Sequence, residues 1–151
     1  MITSILDPEL TSCNGLAVMV CMNNSSNQEN LADQLLNLEC RVYLAKSPED
    51  ALSKLQFHAF HVVIVEEDYS IDIMQFLAYL PMVVRRGIFY TLVGNSFETG
   101  NYMQGFVLSA NLVANFSEME TFGQLLENSI LDYNRFYRSF YYVSNAIGQK
   151  N

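Results

Sequence analysis

Short apolar runs alternate along the chain with longer segments in which apolar residues recur every three or four positions. The run from Leu16 to Met22 is apolar throughout, as expected of a strand buried on both faces of a sheet. The repeat of Leu31, Leu35 and Leu38 is typical of one face of a helix. Along the whole sequence, the two patterns predict strands at 16–22, 40–45, 61–65, 88–93 and 111–116, and helices at 26–38, from 47, and at 71–86, 99–108 and 119–147.

Residues with known capping behaviour support the predicted helix ends. Ser26 and Glu29 fit a capping box, in which the serine side chain bonds first-turn amides and the glutamate reaches back. Ser47 followed by Pro48 fits a helix start, because proline lacks the N–H that would be unpaired there. Pro81 is expected to interrupt or close the third helix.

Strands that alternate with helices predict an α/β fold, in which helices cover both faces of a parallel sheet. The length of 151 residues fits a single domain. Residues 1–15 follow no sustained period and are interpreted as a leader. Residues 16–133 would form the domain, and residues 134–151 would extend its last helix.

The chain is acidic, with 8 basic and 16 acidic residues and a net charge of −8. Such a surface repels phosphate backbones and anionic lipids, so we expect neither nucleic-acid nor membrane binding. No apolar run approaches the roughly 20 residues that cross a bilayer. Cys13, Cys21 and Cys40 follow no C-x-x-C spacing, which favours free thiols in a reducing cytoplasm.

Three consecutive carboxylates, Glu66, Glu67 and Asp68, follow the predicted third strand. Sites in open parallel sheets collect beyond the carboxyl ends of the strands, so this loop could contact a cation. The alternative is an exposed acidic loop in which Asp68 or Ser70 caps the next helix. We favour this alternative and expect no metal site, because no second acidic strand end supports the loop.

Asn23 and Asn24 follow the predicted first strand, and Glu66 follows the third. Val93 and Gly94 stand at the end of the fourth strand, and Ala114 and Asn115 near the end of the fifth. Over roughly residues 16–133, the order of elements and these spacings resemble the receiver domains of bacterial response regulators. The resemblance implies the strand order 2-1-3-4-5. In receivers, two acidic residues after the first strand hold Mg²⁺ and an Asp after the third accepts a phosphoryl group. A Ser or Thr ends the fourth strand, and a Lys followed by Pro ends the fifth.

Nearly every residue that takes part in phosphoryl transfer in receivers is replaced in this sequence. Asn23 and Asn24 remove about two charges from the Mg²⁺ site, and Ala114 and Asn115 stand where Lys and Pro, respectively, are expected. Glu66 is one methylene longer than Asp, a shift of about 1 Å that positioning catalysis tolerates badly. Transfer to a carboxylate needs cations to neutralise the phosphoryl group. The sequence therefore resembles a pseudo-receiver, and predicts a phosphorylation-independent protein interaction module of bacterial signal transduction that is not an enzyme and needs no cofactor.

A flavodoxin-like FMN protein is the alternative, because that fold holds the FMN phosphate on a Ser/Thr-rich loop after the first strand. Ser25 and Ser26 lie at that place, and Tyr69, Phe97 or Tyr102 could stack on a flavin. We favour ordinary capping by the serines, since no glycine opens the loop for a phosphate.

The last predicted helix is longer than the sheet it would cover. At 1.5 Å per residue, residues 119–147 would span about 43 Å, whereas a five- or six-residue strand offers about 20 Å. The part beyond Tyr133 would overhang the domain with exposed aromatic side chains, which usually mark an interface. The alternative is a break near 132–134 that folds the helix back. We expect a homodimer or a protein partner to bind through Phe136, Tyr137, Phe140, Tyr141, Val143 and Ile147.

Overall fold

In a computed structural model of the protein, five strands alternate with helices. The structure describes residues 4–149, and the side chains of residues 4–139. The strands are β1 (Ala17–Cys21), β2 (Arg41–Leu44), β3 (Val62–Glu66), β4 (Phe89–Val93) and β5 (Leu112–Ala114). The helices are α1 (Ser25–Asn37), α2 (Pro48–Phe57), α3 (Ile71–Ala78), α4 (Met82–Arg86), α5 (Tyr102–Val107) and α6 (Phe122–Gln149), with a 3-10 helix at Phe116–Thr121.

The strands form one parallel sheet in the order β2-β1-β3-β4-β5, as the resemblance predicted. Val18 of β1 lies between Val42 of β2 and Val62 of β3. Glu66 at the end of β3 pairs with Val93 at the end of β4. This register places the carboxyl ends of the central strands at one edge of the sheet.

Two hydrophobic clusters cover the two faces of the sheet. Along β1, Val18 and Val20 enter the cluster that includes side chains of α1 and α6. Met19 and Cys21 enter the opposite cluster, with side chains of α2 and α3. Every residue of β1, β4 and β5 and the first four residues of β3 are therefore buried, which is why these strands are almost entirely apolar, whereas β2 at the edge of the sheet is largely exposed. Complete burial of each large apolar side chain contributes about 1.5–3 kcal/mol.

The helix ends follow local chemistry, with one correction. The Ser47 Oγ accepts a hydrogen bond from the Asp50 amide at 3.0 Å, and Pro81 separates α3 from α4, as predicted. The capping box was wrong, because the cap of α1 lies two residues before Ser26 and the helix begins at Ser25. Asn24, with an extended backbone (φ −81°, ψ 106°), is the cap of α1, and its side chain accepts from the Asn27 amide.

The start of the chain packs against α6. The segment 4–15 forms turns and contributes Ile5, Leu10 and Cys13 to the cluster on the α1–α6 face. The side-chain nitrogen of the buried Asn134 donates hydrogen bonds to the backbone carbonyl oxygens of Ile5 at 2.8 Å and Asp7 at 2.9 Å.

Helix α6 is continuous from Phe122 to Gln149, so the predicted long helix is confirmed and a break near 132–134 is wrong. Leu126 and Ile130 are buried on its inner side. No helix in the described part of the chain is long and apolar enough to cross a membrane.

Replacing Asn134 with alanine should lower the free energy of unfolding by about 1–3 kcal/mol, because two buried carbonyls lose their donor. Urea unfolding measures the loss. The matched control is Asn128→Ala, an exposed asparagine of the same helix, which should change stability by about 0.5 kcal/mol or less. Equal losses in the two variants would contradict the proposed role of Asn134 in holding the N-terminal segment.

Candidate functional site

The carboxyl edge of the sheet brings together most of the strand-end positions that sequence analysis singled out. Asn23 and Asn24 are exposed in the loop after β1, and Glu66 is half-buried at the end of β3. The remaining positions are the buried Val93, Gly94 and Ala114 and the half-buried Asn115.

Glu66, at the place of the phosphoryl acceptor, is bonded to the neighbouring loop. Its Oε1 accepts a hydrogen bond from the backbone amide of Asn24 at 3.2 Å. Since Asn24 also caps α1, the carboxylate lies at the amino end of that helix, where negative charge is favourable. Glu66 thus connects β3 to the start of α1.

Glu67 is directed to a different loop. Its backbone amide donates to the Val93 carbonyl at 2.8 Å, and its Oε1 accepts from the Ser96 amide at 3.2 Å. The side chain lies over Gly94, where an added Cβ would stand 2.4 Å from Glu67 Cδ. An alanine at this position would therefore have to displace the Glu67 side chain.

The three consecutive carboxylates do not converge on one point. Asp68 is exposed and has a left-handed backbone (φ 62°), whereas Glu66 and Glu67 bond opposite loops. Ser70, one of the two expected caps, accepts from the Ile73 amide at 3.3 Å and begins α3. Among the described residues, no group of three or more His, Cys, Asp or Glu side chains is placed to hold a metal ion.

Asn115, at the place of the receiver proline, holds the loop between β4 and α5. Its side-chain nitrogen donates to the carbonyls of Asn95 at 3.2 Å and Phe97 at 2.8 Å. Its side-chain oxygen accepts from the Ser117 amide at 2.9 Å, and its backbone amide donates to Thr99 Oγ1 at 2.9 Å. The Asn115 side chain is therefore engaged with backbone groups, and the buried Ala114 occupies the lysine place before it.

The residues proposed for a flavin are dispersed. Ser25 and Ser26 are the exposed first residues of α1. Tyr69 and Phe97 are buried in the cluster on the α2–α3 face, so their rings are not free to stack on a flavin. Tyr102 is exposed on α5.

Comparisons with known proteins identify the architecture. The chemotaxis response regulator CheY4 of Vibrio cholerae superposes with a TM-score of 0.56 at 15% identity, covering 74% of this chain and 98% of its own. A protein assigned as a response regulator in Chloroflexus aurantiacus superposes with a TM-score of 0.63 at 14% identity, covering 78% and 99%. The chain has the receiver fold. No family model matches the sequence, and no curated protein is significantly similar to it.

The receiver fold of this chain carries a second candidate site away from the strand ends. A cleft of about 680 Å³ separates α5 from α6. We call it the α5–α6 groove and define it by its main lining residues, Tyr102, Met103, Phe106, Tyr133, Phe136 and Tyr137. On its rim, Tyr102 is 89% exposed, Phe106 81% and Phe136 68%. These are large apolar side chains that the domain does not cover.

Aromatic side chains in contact with one another form the floor of the groove. Tyr133 packs edge-on against Phe89 with ring centroids 5.8 Å apart, and Tyr137 lies 4.6 Å from Tyr133. Burial raises the pKa of Tyr133 to about 12, so its hydroxyl stays neutral and donates to the Arg86 carbonyl at 3.2 Å. The rim residues therefore lie beside aromatic rings that are held in place by contacts with the rest of the domain.

A neighbouring cleft of about 540 Å³ shares Phe106, Tyr133 and Tyr137 and continues towards α3 and α4. At its base, Arg85 donates to the carbonyls of Ile88 and Ser109, both at 2.7 Å, and to Asn111 Oδ1 at 3.0 Å. Burial lowers the pKa of Arg85.

Phe136 and Tyr137, predicted as interface residues, line the α5–α6 groove. Phe140, Tyr141, Val143 and Ile147 lie outside the residues whose side chains the structure describes. Sequence reasoning missed the contribution of α5, whose exposed apolar residues are Tyr102, Met103, Phe106 and Val107. Their spacing was visible, but the same spacing describes a buried helix face.

Gly94→Ala should destabilise the protein by about 1 kcal/mol or more, since the new Cβ collides with the side chain of Glu67. In a Glu67→Ala background the same substitution should cost clearly less, because the colliding atoms are gone. Chemical denaturation of the four proteins gives the coupling energy. Strictly additive effects would show that Gly94 is required for another reason.

Proposed function

We propose that the protein is a receiver-like interaction module of bacterial signal transduction that binds a protein partner and is not switched by phosphorylation. The observation that carries this proposal is a contrast between two surfaces. At the strand ends, Glu66, Glu67 and Asn115 are hydrogen-bonded to the protein's own loops. Along α5 and α6, large apolar side chains are left exposed.

The strand-end surface lacks the means to move a phosphoryl group. Receivers place acidic residues after the first strand to hold Mg²⁺, and here Asn23 and Asn24 are neutral. Glu66 already accepts a hydrogen bond from the Asn24 amide, and Ala114 occupies the lysine position. Without a divalent cation and a fixed positive charge, the negative charge of the transferring group is not compensated. We infer that the protein is not an enzyme and needs no cofactor there.

The α5–α6 groove has the size and chemistry of an interface. Aromatic side chains bury about 150–250 Å² each. Together, Tyr102, Met103, Phe106, Val107 and Phe136 would bury on the order of 700 Å² per copy, close to the roughly 800 Å² per partner of a standard interface. Aromatic residues and Met are the types enriched in such surfaces.

A second copy of this chain is the partner that we propose for the groove. In a two-fold dimer the same patch serves both copies, so the apolar rims of two grooves can cover each other. The backbone of α6 continues as a helix to Gln149. A different protein that docks on the groove is the other form of the same proposal.

Incubation with acetyl phosphate and Mg²⁺ should add no phosphoryl group to this protein, because the cation and lysine positions are neutral. Intact-mass spectrometry gives the readout, and a receiver that retains the acidic pair, Asp and Lys is the parallel control. Stoichiometric labelling at Glu66 or Asp68 would refute phosphorylation independence. Loss of the label from the control would show that the assay had failed.

Phe106→Glu and Phe136→Glu should each reduce self-association at least tenfold, because a buried unpaired carboxylate costs several kcal/mol at an apolar interface. Light scattering at tens of micromolar measures the mass in solution. Phe57→Glu is the matched control, since Phe57 is 79% exposed at the end of α2 and should leave association unchanged. A monomeric wild type would rule out the dimer. If circular dichroism shows that both groove variants are unfolded, Phe106 and Phe136 belong to the hydrophobic core rather than to an interface.

A further inference from the structure

Two buried cysteines from different segments contact each other next to the first residue of the edge strand β2. Cys13 is 1% exposed in the N-terminal segment, and Cys40 is 6% exposed just before β2. The Cys40 Sγ lies 3.3 Å from the Cys13 carbonyl oxygen, to which it donates a hydrogen bond. The two side chains are also close enough to shift each other's pKa. In the structure both are free thiols.

The backbone around the pair holds the two segments in register. The Gly15 amide donates to the Glu39 carbonyl at 2.9 Å, and the Arg41 amide donates to the Leu16 carbonyl at 2.8 Å. These two hydrogen bonds flank Cys40 and join it to the residues just after Cys13, so they fix how far apart the segments lie. The thiols are thus held together by structure that does not depend on them.

We propose that Cys13 and Cys40 form a reversible disulfide that fastens the N-terminal segment to the edge of the sheet when a disulfide oxidant such as oxidised glutathione is present. In the first step, the Cys40 thiolate attacks one sulfur of oxidised glutathione, forms a mixed disulfide and releases one glutathione thiolate. In the second, Cys13 loses its proton and attacks the Cys40 sulfur, releasing the second glutathione. Two protein thiols are oxidised to one disulfide, and one glutathione disulfide is reduced to two thiols.

The surroundings give the two cysteines different parts in this exchange. The side-chain interaction with Cys40 and burial raise the pKa of Cys13, whereas the interaction with Cys13 lowers the pKa of Cys40. Because the thiolate is the attacking species, Cys40 reacts first and Cys13 resolves the intermediate. Cys40 is also the slightly more exposed of the two, and local opening of a segment built from turns would admit the oxidant.

The bond would fasten a segment that reaches helix α6. The Cys13 amide donates to Glu127 Oε2 at 3.1 Å, and the same segment accepts the hydrogen bonds of Asn134. A disulfide would therefore join the edge strand, the N-terminal segment and α6 into one unit. Cys21 provides an internal control, since it is buried in the opposite cluster and burial raises its pKa to about 12.

The test equilibrates the full folded chain with glutathione buffers of increasing oxidised fraction, blocks the remaining thiols with N-ethylmaleimide, and maps the peptides by mass spectrometry without reduction. We expect wild type and Cys21→Ser to form the 13–40 cross-link alone. Cys13→Ser should instead accumulate a glutathione adduct on Cys40, because the resolving thiol is missing. Cys40→Ser should stay mostly unmodified at Cys13.

The thermal midpoint is the second readout, and it should rise by several degrees in the oxidised wild type, because the cross-link closes a loop of the unfolded chain. No cross-link in folded wild type at any buffer ratio would overturn the proposal. A cross-link that involves Cys21, or that forms only in denaturant, would overturn it equally. A lower midpoint after oxidation would show that the bond strains the fold rather than fastening it.

Discussion

The parallel pairing of β1, β3 and β4 is the constraint on which the rest of the structure depends. Because these strands are buried on both faces, their carboxyl ends meet at one edge, and the loops that follow them must lie side by side. In such loops, backbone amides and carbonyls need partners. Glu66, Glu67 and Asn115 supply some of them, so these side chains at the strand ends hold the loops together.

The same topology explains why the exposed apolar surface lies where it does. Helix α5 follows β4, α6 follows β5, and β5 is the last strand of the sheet. The two helices lie on opposite faces near this edge, so the aromatic residues between them have little sheet to cover. Tyr133 packs edge-on against Phe89 of β4, whereas Phe106 and Phe136 are exposed at the rim of the groove.

Most of the fold could be predicted from the sequence, because each strand is a short apolar run and each helix has a clear period. The strand order came from the resemblance, since periodicity does not specify which strands are neighbours. The cap of α1 was misassigned because Asn24 and Ser26 are both good caps, and only the backbone angles distinguish them. The roles of Asn115 and Asn134 could not be read from the sequence, as their hydrogen bonds join residues distant along the chain. Exposure of α5 was missed because its pattern also fits a buried face.

We propose that binding at the α5–α6 groove has replaced chemistry at the strand ends. Amide ¹H–¹⁵N spectra test it most directly, recorded with and without Mg²⁺ plus fluoroberyllate, a phosphoryl analogue, and over a range of protein concentrations. The account predicts no saturable shifts at Asn24, Glu66 and Ser96, and concentration-dependent shifts at Phe106 and Phe136. Saturable shifts at the strand ends, with the groove unchanged at every concentration, would contradict it.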